Sequence, residues 1–219
     1  MGVAEGVEWG FFLPITVFWV VELGLGPFEL VLMGLVLELS VLIAETPTGV
    51  VADLVSRKRS IVIAQIVMGV GFIWAVASTN YWIILPAQVV FGVGWTFRSG
   101  ADTAWVTDEL RGRGELGFQE LDRLLLRRHR FGIAVALLTV VGAVLIGEVT
   151  SVRWAAAAMG VLEIGIGVYC WFTMREDHFV PGRERSRGFV QTLREGLTAV
   201  AGSRQLRVIV VVLLFLDLG

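Results

Sequence analysis

The chain contains one cysteine, Cys170, two histidines and a single lysine, Lys58. One cysteine excludes an internal disulfide and any cysteine-built metal site, and reads as a small buried apolar residue. The histidines, His129 and His178, sit at the edges of apolar runs. A serine nucleophile such as Ser99 would therefore lack a base within hydrogen-bond reach. No phosphate-binding Gly-Lys loop, metal-ligand cluster or dinucleotide fingerprint occurs. The expectation is no catalytic residue, no metal, no cofactor and no enzyme. Charge is also scarce, at 17% of residues, where a soluble domain carries about a quarter. The opening segment lacks the basic flank and small-residue cleavage site of a signal peptide.

Apolar residues make up 56% of the chain, and its mean hydropathy is +0.77. Six runs approach the roughly 20 apolar residues that a span needs: 7–24, 30–52, 60–79, 81–106, 129–149 and 153–174. They are continuous, whereas barrel strands would alternate over about ten residues. These features predict an all-α membrane protein. Residues 1–174 form a six-helix transmembrane bundle, 175–205 a linker, and 206–219 the start of a seventh helix. Its apolar run, 206–218, is too short for a ~30 Å core, so a truncated product of a parent about twice as long is expected.

Of the 18 Lys and Arg residues, all but Arg98 and Arg153 follow the second, fourth or sixth run. Basic loops stay cytoplasmic, which also places the N-terminus inside. The opposite links, Gly24–Pro27 and Ser78–Asn80, are made of turn formers. Trp9, Trp82 and Trp154 lie near predicted span ends, where an indole favours the interface or packs against lipid or core. The arginine-rich segments are interspersed with acids and explained by topology, so no nucleic-acid partner is expected. The segment 175–204 reads either as a strip on anionic lipid or as a plain solvated connector.

After the second run stands Gly49-Val-Val-Ala-Asp53-Leu-Val-Ser-Arg57-Lys58-Arg59. Asp53 and Arg57 are four apart, so in a helical turn they share a face and can pair. Asp108, after the fourth run, offers Arg57 a second carboxylate. Gly49 would let another helix approach closely. The alternative is that Arg57 to Arg59 serve only to retain the loop inside. This stretch, together with Leu37–Asp53 and Ser99–Trp105 followed by Asp108-Glu109, resembles the major facilitator superfamily, in particular its bacterial drug-efflux-like members. Their pattern at this turn reads roughly Gly-x-x-x-Asp-x-x-Gly-Arg-Lys-x, with Ser56 here in place of the second glycine.

The resemblance implies the N-terminal half of such a carrier, two inverted three-helix repeats in a bacterial inner membrane. It further implies alternating-access transport of small, amphipathic or hydrophobic molecules, with proton-coupled efflux as the drug-exporter form. The partners would be the substrate, protons, the bilayer and a missing C-terminal six-helix half. Gly49, Asp53, Arg57, Lys58 and Asp108 would form a gate that holds the halves together. The competing expectations are a truncated protein that transports nothing, or a half-transporter that works as a homodimer. Two departures stand out. Gln88 occupies a position where proton-coupled members carry arginine, and Gly142–Gly147 lacks the proline of the drug-antiporter motif.

Charges inside spans are costly unless they face a partner or a wet cavity. Arg98 and Asp102, four apart, are candidates for substrate or proton contact, or form a self-neutralising pair. Glu38 and Glu45, seven apart on one face, read as proton-coupling acids or as buried protonated acids bonded to a neighbouring helix. Thr16 and Trp19 are cavity candidates, with lipid-facing as the other reading for Trp19. Glu22, Glu148 and Glu163 are assigned no role.

Overall fold

A computed structural model describes residues 2–112, 114, 118–179 and 202, with backbone alone over 118–122. The chain divides into units of residues 1–180 and 181–219. The linker beyond Phe179 and the seventh helix expected over 206–219 lie outside the described residues.

Within the first unit the described residues form seven helices and no strand. α1 covers Gly2–Val17 and continues as a π-helical turn, Phe18–Glu22. It is followed by α2 (Pro27–Leu54), α3 (Arg57–Ala75), α4 (Tyr81–Arg98), α5 (Ala101–Gly112), α6 (Phe118–Val149) and α7 (Val152–Thr173). α1 with its π turn, α2, α3, α6 and α7 are the 5 helices long and apolar enough to cross a membrane. This is consistent with a multi-pass membrane protein.

Local chemistry sets the boundaries. Gly24 takes φ +66, and Pro27 opens α2 at a position where its missing N–H costs nothing. Ser56 caps α3 by accepting from Arg59 N at 3.0 Å. Asn80 caps α4 by accepting from Trp82 N at 2.9 Å.

The fourth run departs from expectation. It is not one helix over 81–106 but breaks after Arg98, where Gly100 adopts φ +75. That left-handed conformation suits glycine and ends the helical ladder. α5 then restarts with Ala104 N bonded to Gly100 O at 2.9 Å. α4 alone is 18 residues long and contains Pro86, Gln88 and the terminal Arg98, and it falls below the hydropathy of the other five.

Between helices in lipid there is little hydrophobic drive, so close backbone approach carries the association. α3 and α7 run antiparallel and cross at Gly69 and Gly160. A Cβ on Gly69 would stand 2.6 Å from Gly160 O, and one on Gly160 would stand 2.7 Å from Gly69 O. The same two positions would meet Ile164 and Ile73, each four residues beyond the facing glycine. Arg153, at the start of α7, donates to Val76 O and Ala77 O at 2.7 and 2.6 Å, placing a cation at the C-terminal end of α3.

α1 packs on α6, and α2 on α4. At the first contact a Cβ on Gly10 would meet Ala136 O and Thr139 Cβ. At the second, a Cβ on Gly92 would meet Leu37 O and Ser40 Cβ. The core is aromatic where α1, α3 and α4 converge, with Phe11 stacked on Phe72 at 3.6 Å and Phe72 on Phe91 at 5.0 Å. α2 and α6 remain largely uncovered: Leu42, Ile43 and Leu138 are 71%, 75% and 72% exposed.

Candidate functional site

The turn between α2 and α3 gathers charge. Arg57 NH1 lies 2.5 Å from Asp108 Oδ2 on α5, and Arg57 NH2 lies 3.7 Å from Asp53 Oδ1 at the end of α2. One guanidinium thus bridges two helices to a third. Asp108 and Arg57 are mostly covered, while Asp53 is 39% exposed. Gly49 differs from expectation: no described atom lies within 4 Å of where its Cβ would stand. Its face of α2 is open, and no described helix approaches it.

The segment after α7 folds back onto this turn. Glu176 Oε2 accepts from Ser56 Oγ at 2.5 Å, and its Oε1 accepts from Lys58 N at 3.0 Å. A carboxylate at a helix N-terminus satisfies an otherwise orphaned N–H and complements the dipole. Lys58 Nζ lies 5.5 Å from the Trp171 ring centroid. On α5, Trp105 Nε1 donates to Arg175 O at 2.9 Å. Glu109 Oε1 accepts from Asp177 N at 3.1 Å, and its Oε2 stands 3.2 Å from His178 Nδ1. Burial pushes the Glu109 carboxyl up, but the hydrogen bonds from His178 and Asp177 outweigh it and hold it below the usual carboxylate range.

Deeper in the bundle, the break at Gly100 sends Arg98 and Asp102 to different partners, so the self-neutralising pair does not form. Arg98 pairs with Glu8 of α1, and its guanidinium lies 5.0 Å from the Trp95 ring centroid. Asp102 pairs with Arg128 of α6, and Arg128 also bonds Glu5 of α1 at 3.1 Å. Glu8 and Glu163 are both 0% exposed and Gln65 is 1% exposed. Both oxygens of Glu163, Glu8 Oε1, Gln65 Oε1 and Arg98 NH1 have no hydrogen-bond partner.

Glu38 and Glu45 are exposed on the uncovered side of α2 rather than buried. No described helix covers that face, and the one bond there is Ser99 Oγ to Glu45 Oε1 at 3.4 Å. Thr16 is exposed and bonds only its own helix, donating to Phe12 O at 2.7 Å. Trp19 faces neither cavity nor lipid. It is buried, and its Nε1 donates to Ala75 O at 3.3 Å, which ties α1 to α3.

Glu8, Arg128 and Glu176 escape a reading by sequence pattern, because their partners lie on helices distant in sequence. The available signal was Arg98 in one run with an unmatched Glu8 in another. A groove of about 330 Å³ between α1, α6 and α7 is lined by Leu13, Pro14, Val17, Val140, Val144 and, as its only charge, Glu148. Among the described residues no group of three or more His, Cys, Asp or Glu could hold a metal ion. Comparison with protein-family models, curated proteins and solved structures finds no match for this chain.

Proposed function

We propose that this chain is a six-helix half of a secondary transporter of the major facilitator type. It moves small amphipathic or hydrophobic molecules by alternating access, with protons as the coupling ion. The chief support is a correspondence in the packing. Take α4 with α5 as one broken fourth span and exchange spans one to three with spans four to six. The α1–α6 contact then becomes the α4–α2 contact, and the α3–α7 contact maps onto itself. Gly10 facing Ala136 and Thr139 answers Gly92 facing Leu37 and Ser40, while Gly69 with Ile73 answers Gly160 with Ile164. Three crossings per unit would leave the two units inverted in the membrane, as such carriers are built.

Two further features favour the reading. The Arg57–Asp108–Asp53 cluster sits where a gate of this type is made. The uncovered helices are α2 and α6, which exchange under the same correspondence, and α2 carries the acids Glu38 and Glu45 on its open side. Acids on an apolar helix need a wet cavity or a protein partner, which a second six-helix half would supply. An apolar groove whose only charge is Glu148 suits amphipathic cargo better than sugars.

Expression in a host stripped of its own exporters should lower accumulation of amphipathic fluorescent dyes. Asp53→Asn and Asp108→Asn should abolish that effect at equal membrane abundance. Unchanged accumulation with the wild type would refute transport by this chain alone, and full efflux by both variants would refute the gate. Size-resolved cross-linking in lipid separates a homodimer from a half that needs a different partner.

A further inference from the structure

α1 and α6 run side by side, and their contact changes character along its length. At Gly6 and Gly10 the backbones touch: a Cβ there would stand 2.5 Å from Gly132 O and 3.0 Å from Ala136 O. The next position on that row of α1, four residues on, is Pro14. Its ring takes up the space that a glycine would leave. Beyond it lies the groove of about 330 Å³. Ala143 and Gly147 of α6 are small enough to leave it open, and Leu13, Val17, Val140 and Val144 give it apolar walls. Ligand pockets span roughly 300–1,000 Å³, so this one suits a single alkyl chain rather than a bulky body.

From Val140 to Glu148 the groove follows little more than two turns of α6, roughly 12 Å at 1.5 Å per residue. One leaflet contributes about half of a ~30 Å hydrocarbon core. The groove is therefore close to one leaflet deep. It ends at the pole of the bundle opposite the basic turn, where Trp82 and Trp154 are exposed at the starts of α4 and α7. Exposed indoles favour the level of the lipid headgroups.

The charges at that rim have both signs. Glu148 is exposed at the mouth of the groove and forms no ion pair among the described residues. Arg153 stands one residue beyond the groove residue Val152, with Nε and NH2 donating to Val76 O and Ala77 O at 2.7 and 2.6 Å. Carbonyl oxygens hold a guanidinium in place without neutralising it. Glu22, exposed at the same end, does not line the groove.

We propose that the groove takes one alkyl chain of an aminophospholipid from the leaflet at this end, with the head ammonium on Glu148 and the phosphate toward Arg153. A primary ammonium brings three N–H donors to the carboxylate, which a choline head lacks. A purely anionic head would set its charge against Glu148. The inference rests on the transporter reading only for whether the lipid is carried onward, because its binding is read without transport.

The test is native mass spectrometry of the purified protein, equilibrated with equal amounts of phosphatidylethanolamine, phosphatidylcholine and phosphatidylglycerol. The wild type should retain one phosphatidylethanolamine in preference to the other two. Glu148→Gln should cut its preference over phosphatidylglycerol by about 2- to 5-fold, the worth of an exposed ion pair. Val144→Trp, at an exposed wall position, should fill the groove and abolish retention. Equal retention of the three lipids by the wild type, an unchanged preference in Glu148→Gln, or full retention by Val144→Trp overturns the proposal.

Should the variants fail to assemble, the wild type can be placed in vesicles of phosphatidylethanolamine carrying a photoreactive diazirine in the acyl chain, and mapped by peptide mass. Adducts should concentrate on residues 13–17 and 140–147. Adducts as frequent on the exposed Leu42 and Ile43 of α2 would mark ordinary bilayer contact and overturn the site. A protein that holds the lipid yet exports no dye would sink the transporter reading and leave the site standing. Dye export without retained lipid would do the reverse.

Discussion

Gly69 and Gly160 face each other so closely that a side chain on either would strike the other's carbonyl oxygen, at 2.6 and 2.7 Å. Backbone oxygens on two packed helices cannot step aside cheaply. Gly160→Val should therefore cost about 1–3 kcal/mol through overpacking. Gly165→Ala on the same helix enters open space and should be neutral or stabilising by up to about 1 kcal/mol. Thermal unfolding in detergent compares the two, and similar melting temperatures would contradict the crossing geometry.

Asp108 and Asp53 share Arg57 unequally, at 2.5 and 3.7 Å. Removing one partner of a covered ion pair strands the other charge, whereas an exposed pair contributes little. Asp108→Asn should lower stability by roughly 1–3 kcal/mol on that basis, and Asp53→Asn by under about 1 kcal/mol. Chemical unfolding would rank them. The reverse order would mean that Asp53 is the principal partner.

Glu109 supplies a pH-dependent hold on the segment after α7. Its folded-state carboxyl titrates below the usual range, so its contribution is fully present above the ordinary carboxylate value. That contribution is lost as pH falls through the lowered one. The amides of Asp177 and His178, which donate to Glu109 Oε1, should resist hydrogen exchange at neutral pH and lose protection in acid. In Glu109→Gln the protection should be weak at every pH. An unchanged profile in that variant would remove Glu109 from the role.

Cys170 is the sole cysteine and buried, which makes the chain suited to labelling. The wild type should resist membrane-impermeant thiol reagents in intact cells. Ser60 is covered, so Arg59→Cys and Asn80→Cys are better reporters. If the basic turn faces the cytoplasm as proposed, Asn80→Cys reacts from outside and Arg59→Cys only after permeabilisation. Inverted labelling would reverse the orientation.

Much of the architecture is legible locally. Apolar runs mark the helices, and Ser56, Pro27 and Asn80 mark where three of them begin, because capping chemistry depends on neighbours in sequence. The proximity of Arg57 to Asp53 and Asp108 follows from charges at adjoining helix ends. Contacts set by tertiary packing are not legible. Arg98 finds Glu8 across 90 positions, a pairing that no periodicity encodes. Trp19 turns inward because Ala75 offers it an acceptor. Gly49 stands in the open, while Gly10, Gly69, Gly92 and Gly160 make the close contacts, and composition alone does not distinguish them. The dipeptide Ser99-Gly100 carried the signal for the broken fourth span, yet glycine is tolerated in transmembrane helices often enough to hide it.

The π-helical turn at Phe18–Glu22, closed by Leu23 N on Phe18 O at 3.2 Å, holds one residue more than an ordinary turn would. α1 therefore behaves as a regular helix with a single-residue insertion absorbed near its end. Deleting Val20 or Val21, both exposed, could anneal the coil into uninterrupted α geometry and leave the register from Gly2 to Val17 untouched. Trp19 and Leu25 would rotate relative to each other and the link into α2 would be shortened. A shortening that is ruinous elsewhere in this helix has here a built-in slack to consume.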